Sequence, residues 1–206
     1  IQKTIKDHKR IIFNGNGYDD AWIKEATEKR GLLNLRTTPD ALPAILEKKN
    51  VEMLTSYKIF SPAEIQSRYE ITLENYCKTV NIEALTMVDM AKKEILPAIE
   101  AYSKELADTL AAKTAAVAEL SGKYEKNAIT KLSALVDEID AATCALEASL
   151  IKYQTCTDIT EASCMIRDVI LQKMAELRIV CDEAETLTAE KYWPFPTYEK
   201  LLFSVK

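Results

Sequence analysis

The sequence predicts an all-α protein, a helical bundle with a long Pro-kinked helix and an antiparallel helical hairpin, preceded by short helices and a brief β-like segment. Residues 61–121 contain no glycine and, after Pro62, a single proline, Pro97. Residues 129–153 repeat apolar side chains at alternating steps of three and four, which is typical of a helix that packs along another helix. We therefore divide the chain into a connector, residues 1–60, and a bundle, residues 61–206.

Composition limits the classes of function. With 206 residues, 48% hydrophobic and 29% charged, the chain is long enough for one folded domain with a proper core. The net charge of −5 is interleaved along the chain, so no nucleic-acid partner is expected. No apolar run is long enough to span a membrane. Five cysteines without a C-x-x-C pair favour a reducing, cytoplasmic location. Because the chain begins with Ile1 rather than Met, we expect a fragment of a longer protein.

The connector is predicted to contain short helices and one glycine-rich turn. The brief β-like run is Ile11–Phe13, and Asn14–Gly17 ends it in a turn. That turn lacks both the Gly-Lys-Ser/Thr ending of a P-loop and the third glycine of a dinucleotide loop, so a plain turn is favoured over a nucleotide site. Asp19 or Asp20 caps the next helix, which Gly31 ends. Short helices are expected over residues 1–10, 21–30, 38–49 and 51–57.

The long helix has a defined start and one weak point. In Ser61-Pro62-Ala63-Glu64 the serine and the glutamate form a capping box, with proline at the first helical position. An apolar stripe with steps of three and four follows. Pro97 lacks a backbone donor, which predicts a kink or break near residues 94–96.

One segment of this helix is apolar in several directions, and we predict that it is covered on more than one side. It forms either the centre of the bundle or a surface buried by a second chain or domain. Its candidate interface residues are Ile82, Leu85, Met87, Val88 and Met90.

Residues 123–154 carry the most regular heptad pattern of the chain. The turn at Ser121-Gly122 makes the preceding helix the expected antiparallel partner, with intermolecular coiled-coil pairing as the alternative. The apolar positions are Ile129, Leu132, Val136, Ile139, Thr143, Leu146, Leu150 and Tyr153.

A last helix begins at the capping sequence Asp158-Ile159-Thr160-Glu161 and is followed by an aromatic tail, residues 192–198. The two prolines of the tail exclude a helix, and its large aromatics are costly to leave in water. Docking on its own bundle is favoured over docking on a neighbour. Trp193, Phe195 and Tyr198 are further candidate interface residues.

The residues suggest no active site of their own. The only histidine, His8, lies outside the bundle, and no cysteine pair has zinc-finger spacing. The acidic group Asp137, Glu138 and Asp140 falls beside the heptad positions and reads as solvent-facing. We therefore predict no catalytic, cofactor-binding or metal-binding residue in this chain.

Three stretches are specific beyond their periodicity. They are Ile12–Tyr18 with Trp22 and residues 24–26 and 30–32, Asn81–Ala91, and Lys191–Tyr198. In this order they resemble the C-terminal region of type III glutamine synthetases, in register over nearly the whole chain. That family often has Asp at the position of Asn16, a small departure.

The resemblance implies a larger enzyme that joins ammonia to glutamate, using ATP and divalent metal ions, Mg or Mn. It also implies a homo-oligomer in which catalytic residues lie upstream of Ile1, so none is assigned here. This chain is then a structural and assembly domain that contacts the rest of its subunit and neighbouring subunits. The alternative is a free-standing helical protein-interaction module. A regulatory ligand site has no support in the sequence.

Overall fold

The computed structural model describes residues 1–196 and 198–203, and all regular secondary structure in that part of the chain is helical. The chain forms two compact units, residues 1–69 and 70–206. The α-helices are α1 (Gln2–Asp7), α2 (Asp20–Lys24), α3 (Thr38–Ala41), α4 (Lys48–Ser56), α5 (Pro62–Met90), α6 (Leu96–Ala116), α7 (Lys123–Gln154), α8 (Ile159–Met165), α9 (Leu171–Leu187) and α10 (Tyr198–Leu202).

The β-like run is not a strand. Lys9–Ile11 forms a 3-10 turn, and Ile12 is extended without a strand partner among the described residues. The physical reason is that a three-residue apolar run needs a second strand for its backbone groups. Here the Ile12 carbonyl instead accepts a hydrogen bond from the Arg30 guanidinium at 2.8 Å. Phe13 stacks on Trp22 with ring centroids 3.7 Å apart.

The helix expected over residues 21–30 is confirmed. The Asp19 carboxylate accepts the Ala21 amide at 2.9 Å, which caps α2. The helix continues through a π-helical turn, Glu25–Lys29, and Gly31 follows with φ +62°. The helix therefore ends at a left-handed glycine, as the sequence predicted.

The helix predicted over residues 38–49 is wrong in extent. α3 is followed by a 3-10 segment, Leu42–Leu46, that contains Pro43, and Glu47 is non-helical with ψ 137°. Because proline cannot donate a backbone hydrogen bond, it favours the tighter turn over a continued α-helix. The next helix, α4, therefore starts earlier than the predicted residue 51.

The long helix is continuous through the expected weak point. The capping box is present, since the Ser61 amide donates to Glu64 at 2.8 Å and the Glu64 amide donates to the Ser61 hydroxyl at 3.3 Å. Instead of a break, a π-helical turn, Ala91–Ile95, joins α5 to α6 just before Pro97. The wider turn is a recognised way for a helix to absorb a local irregularity of its hydrogen-bond ladder.

Residues 70–206 form a three-arm bundle in which α7 packs against both α6 and α9. The arms are residues 70–116, 123–154 and 159–187, joined by short turns. Lys113 pairs with Glu125 beside the first turn and Lys92 pairs with Glu147 farther along, so the first two arms are antiparallel. The predicted hairpin is confirmed.

The heptad positions form the centre of this bundle. Leu132, Ile139, Thr143 and Leu146 are fully buried, and the third arm contributes Ile166, Ile170 and Leu177. Asp158 caps α8 as predicted, accepting the Glu161 amide at 2.8 Å. A turn-rich segment follows α9, and the described part of the aromatic tail, residues 192–196, is not helical. Helix α10 nevertheless begins at Tyr198, which the tail prediction had excluded from helix.

Candidate interface groove

An open apolar groove of about 580 Å³ lies on the bundle surface between the first and third arms. The C-terminal half of α5 and the π-helical turn form one wall of the groove, and α9 forms the other. The aromatic tail closes one end of the groove. Its apolar lining is Ile82, Met87, Met90, Ile95, Met174, Leu177, Cys181, Trp193, Phe195, Pro196 and Leu201.

The wall from α5 arises because this segment has apolar residues on more than one face. Ala84 and Val88 face the core, where they are almost completely buried. Met87 is half-buried at the edge of the groove, and Ile82 is 62% exposed. The segment thus contributes to the bundle core and to its surface at the same time.

The aromatic tail is held by a polar anchor on α6. The Tyr192 hydroxyl and the Lys191 ammonium both donate to the Glu105 carboxylate, the ammonium at 2.7 Å. The Tyr192 ring also lies 5.6 Å from that of Tyr102. These contacts fix the chain just before Trp193, whose ring packs against the bundle core.

Trp193 meets Phe195 edge-on, with ring centroids 6.3 Å apart and an interplanar angle of 77°. Phe195 also packs against the bundle core. Both side chains are only partly buried, and both line the groove.

The anchor also shifts the titration of its own groups. Hydrogen bonds from Lys191 and Tyr192 lower the pKa of the Glu105 carboxyl, and the same carboxylate raises the pKa of the Tyr192 hydroxyl. A hydrogen bond with the Tyr124 hydroxyl raises the pKa of Tyr102 to about 12. At neutral pH the anchor is therefore one carboxylate with a cation and neutral phenols.

Of the eight candidate interface residues, five line the groove. These are Ile82, Met87, Met90, Trp193 and Phe195, so the structure brings two distant sequence patches together. Leu85 is exposed outside the groove, and Val88 is buried in the core. The side chain of Tyr198 lies outside the described part of the structure.

Sequence reasoning missed the wall formed by α9. The sequence predicted a helix here but named none of its residues, such as Met174 and Cys181, as interface candidates. The available signal was the pair of acidic residues Asp182 and Glu185, which flank that apolar stripe and reach the groove. Burial raises the pKa of the Cys181 thiol to about 11, so this groove cysteine is a neutral, weakly nucleophilic group.

The rim of the groove is acidic. Three carboxylates, those of Glu83, Asp182 and Glu185, stand against one guanidinium, that of Arg178. Arg178 pairs with Asp182 at 3.3 Å within α9. Within the described residues, Glu83 and Glu185 have no ion-pair partner, so the rim carries an excess of negative charge.

Acidic and histidine side chains elsewhere in the described part of the chain do not form a metal site. In residues 1–196 and 198–203, no three His, Cys, Asp or Glu side chains are placed so that they could hold a metal ion. Asp137, Glu138 and Asp140 are solvent-exposed, as is His8. No helix in the described part of the chain is both long and apolar enough to cross a membrane.

The fold and the groove define an all-helical bundle domain with a candidate interaction surface. The chain belongs to the glutamine synthetase C-terminal domain family, whose model matches residues 1–114. The match covers α1 to α5 and nearly all of α6, and it confirms the family that the three sequence stretches suggested.

Three relatives match the chain over nearly its whole length. A glutamine synthetase of Butyrivibrio fibrisolvens is 37% identical over 100% of the chain, and a type-3 glutamine synthetase of Dictyostelium discoideum is 31% identical over 98%. A glutamine synthetase of Bacteroides fragilis is 26% identical over 99%. The chain spans only 29%, 28% and 28% of the lengths of these relatives.

Proposed function

We propose that this chain is the helical structural and assembly domain of a type III glutamine synthetase, a cytoplasmic enzyme that ligates ammonia to glutamate with ATP. The observation that carries the proposal is the apolar groove, because it gathers two distant sequence patches on the surface of a family domain whose relatives are more than three times longer. Contacts with the rest of the subunit or with neighbouring subunits of a homo-oligomer would cover it.

The residues of this chain do not fit the cofactors of that reaction. ATP with Mg²⁺ or Mn²⁺ requires clustered oxygen ligands and phosphate-binding donors. The described residues offer no such acidic or histidine cluster. In this proposal, other parts of the longer enzyme hold nucleotide and metal, and the role of this domain is to position and connect.

The energetics of the groove support a covered surface. Fully burying a methionine side chain contributes about 1.5–3 kcal/mol, and Met87 and Met90, which are only partly exposed, already have roughly two thirds or more of that within this chain. A partner that covers what remains exposed of both would gain about 1 kcal/mol from these two side chains. A carboxylate at either position would have to lose its water when a partner covers it, so the side chain would oppose association instead of favouring it.

The test is the double variant Met87→Glu/Met90→Glu in the full-length enzyme, with sedimentation velocity as the measurement. We expect the oligomer to dissociate into smaller species because two charges would enter a covered apolar surface. Ile151→Glu is the matched control, since Ile151 is 64% exposed on α7 and does not line the groove. A double variant that assembles like the wild type would remove the assembly role.

A second measurement addresses the chemistry. This chain alone, incubated with glutamate, ammonia, ATP and Mg²⁺, is expected to form no glutamine, since the described residues offer no metal-binding cluster. Glutamine formation by the purified chain would show that the catalytic residues lie within it.

A further inference from the structure

A second open cavity, of about 520 Å³, lies within the bundle, where the first arm meets the turn between α7 and α8. Its lining includes two of the five free cysteines of the chain, Cys77 of α5 and Cys156 of the turn. The Tyr153 hydroxyl is near both thiols, because burial raises the pKa of this phenol and Cys77 and Cys156 raise it further. The fold therefore brings two thiols that are distant in sequence to one cavity.

The two thiols differ in their access to solvent. Cys77 is 1% exposed, its thiol has no hydrogen-bond partner among the described residues, and burial raises the pKa of that thiol. Cys156 is partly exposed, and its sulfur makes two weak contacts, with the Lys152 carbonyl at 4.0 Å and the Met165 sulfur at 3.9 Å. A reagent from solvent therefore reaches Cys156 first, while Cys77 is protected.

The two cysteines also differ in backbone freedom. Cys77 lies inside α5, whereas residues 155–158, which include Cys156, lie outside the helices. A disulfide requires α-carbons about 4.4–6.8 Å apart. The turn can move toward α5 without breaking the hydrogen-bond ladder of a helix, so it can bring Cys156 to Cys77.

The charge around this cavity favours a small, neutral oxidant. Three carboxylates line the cavity, those of Glu70, Glu74 and Asp158, together with one cation, Lys78. Lys78 pairs with Glu74 at 2.9 Å, so the lining carries an excess of negative charge. That charge repels an anionic thiol compound such as glutathione, whereas hydrogen peroxide is neutral and small enough to enter.

We propose that this cavity is a thiol modification site, at which hydrogen peroxide links Cys156 to Cys77 by a disulfide. The inference goes beyond the proposed function and does not rest on it. The Cys156 thiolate attacks the peroxide, so that a sulfur–oxygen bond forms, the oxygen–oxygen bond breaks, and the departing hydroxide takes up the proton that Cys156 released. The Cys77 sulfur then attacks the Cys156 sulfur, which forms the disulfide and breaks the sulfur–oxygen bond. The second hydroxide leaves with the Cys77 proton as water, so the two cysteines lose two electrons and one peroxide becomes two waters.

The disulfide joins the first arm of the bundle to the turn after α7 and closes a loop of about 80 residues. Because a cross-link of this span restricts the unfolded chain, the melting temperature should rise by about 5–15 °C on oxidation. In a reducing compartment such bonds are usually transient and redox-sensing. Dithiothreitol should therefore return the chain to its original melting temperature.

Peptide mapping by mass spectrometry tests the modification on the 206-residue chain, after hydrogen peroxide and again after dithiothreitol. We expect the cross-linked Cys77–Cys156 peptide as the main product of the wild type, and its loss in Cys156→Ser and in Cys77→Ala. Cys156 lies in a turn and is partly exposed, so Cys156→Ser should show wild-type folding by circular dichroism. Cys164→Ser is the matched control and should keep the cross-link, since Cys164 is also partly exposed but does not line the cavity.

A wild-type chain that gives no Cys77–Cys156 peptide after peroxide would overturn the inference. So would a cross-link through Cys144 or Cys164 instead, or a Cys156 that proceeds to sulfinic or sulfonic acid without pairing. An oxidised chain that melts no higher than the reduced chain would overturn the stabilising effect of the cross-link. None of these outcomes bears on the assembly role, which the Met87→Glu/Met90→Glu variant tests separately.

Discussion

Gly122 is the point on which the antiparallel hairpin turns, and replacing it with alanine should destabilise the bundle. Its backbone is left-handed, with φ +53° and ψ 29°. An L-residue in this conformation costs about 1–2 kcal/mol relative to glycine. A β-carbon at this position would also lie 2.2 Å from the Leu110 Cδ1 atom on α6.

The cost of the close contact between the new β-carbon and Leu110 depends on how far the leucine side chain can move. Carbon atoms pack best at about 3.5–4.0 Å, so the leucine must move by more than 1 Å and lose part of its packing. Leu110 is half-buried and can change rotamer, which limits this cost to about 1 kcal/mol. The expected total for Gly122→Ala is therefore about 2–3 kcal/mol. In a chain of this size, that shifts the melting temperature by roughly 4–12 °C.

Urea denaturation followed by circular dichroism measures the change, and a double-mutant cycle separates its two causes. In a Leu110→Ala background the contact is gone, so Gly122→Ala should cost only the backbone contribution. The cycle should then give a coupling of about 1 kcal/mol. A Gly122→Ala variant within 0.5 kcal/mol of the wild type would refute the left-handed turn, and zero coupling would refute the contact with Leu110.

Three further predictions concern the core and two polar contacts. The Lys113 ammonium holds the pKa of the Glu125 carboxyl below its usual range, so the stability that Glu125 contributes is complete above about pH 4.3 and lost as pH falls through its lower folded pKa. The gap in unfolding free energy between wild type and Glu125→Gln should therefore close in acid. Glu105→Gln should speed chymotrypsin cleavage in the aromatic tail several-fold, because the charge that anchors the tail is removed. Leu146→Ala should cost about 2–5 kcal/mol in urea unfolding, whereas Ile151→Ala should cost less than about 0.5 kcal/mol.

For each of these three predictions, one outcome would contradict the reasoning. A constant gap between wild type and Glu125→Gln from pH 7 to pH 3 would show that the ion pair does not determine the difference. An unchanged cleavage rate in Glu105→Gln would mean that the aromatic packing alone holds the tail. Equal losses for the leucine and isoleucine variants would contradict the placement of α7 in the bundle centre.

The helix starts and the hairpin could be predicted from local sequence. Ser61 and Asp158 cap helices because a side-chain oxygen needs only an amide three residues later, as both caps show. The heptad spacing of residues 129–153 identified the buried face of α7, since a 3.5-residue repeat defines one face of a helix regardless of the partner. Details that depend on neighbouring structure, such as the 3-10 turn at Lys9–Ile11, were predicted less well.

The amino-acid sequence by itself determined the helical class, the order of the arms and the apolar character of residues 82–90 and of the aromatic tail. These properties follow from periodicity, capping and proline, which act over a few residues. Only the tertiary structure decided that Met87 and Trp193 line one groove, that Val88 belongs to the core, and that α9 supplies two of the three acidic residues of the rim. The reason is that a helix with apolar residues on several faces can pack in more than one orientation, and the contacts between distant arms select one of them.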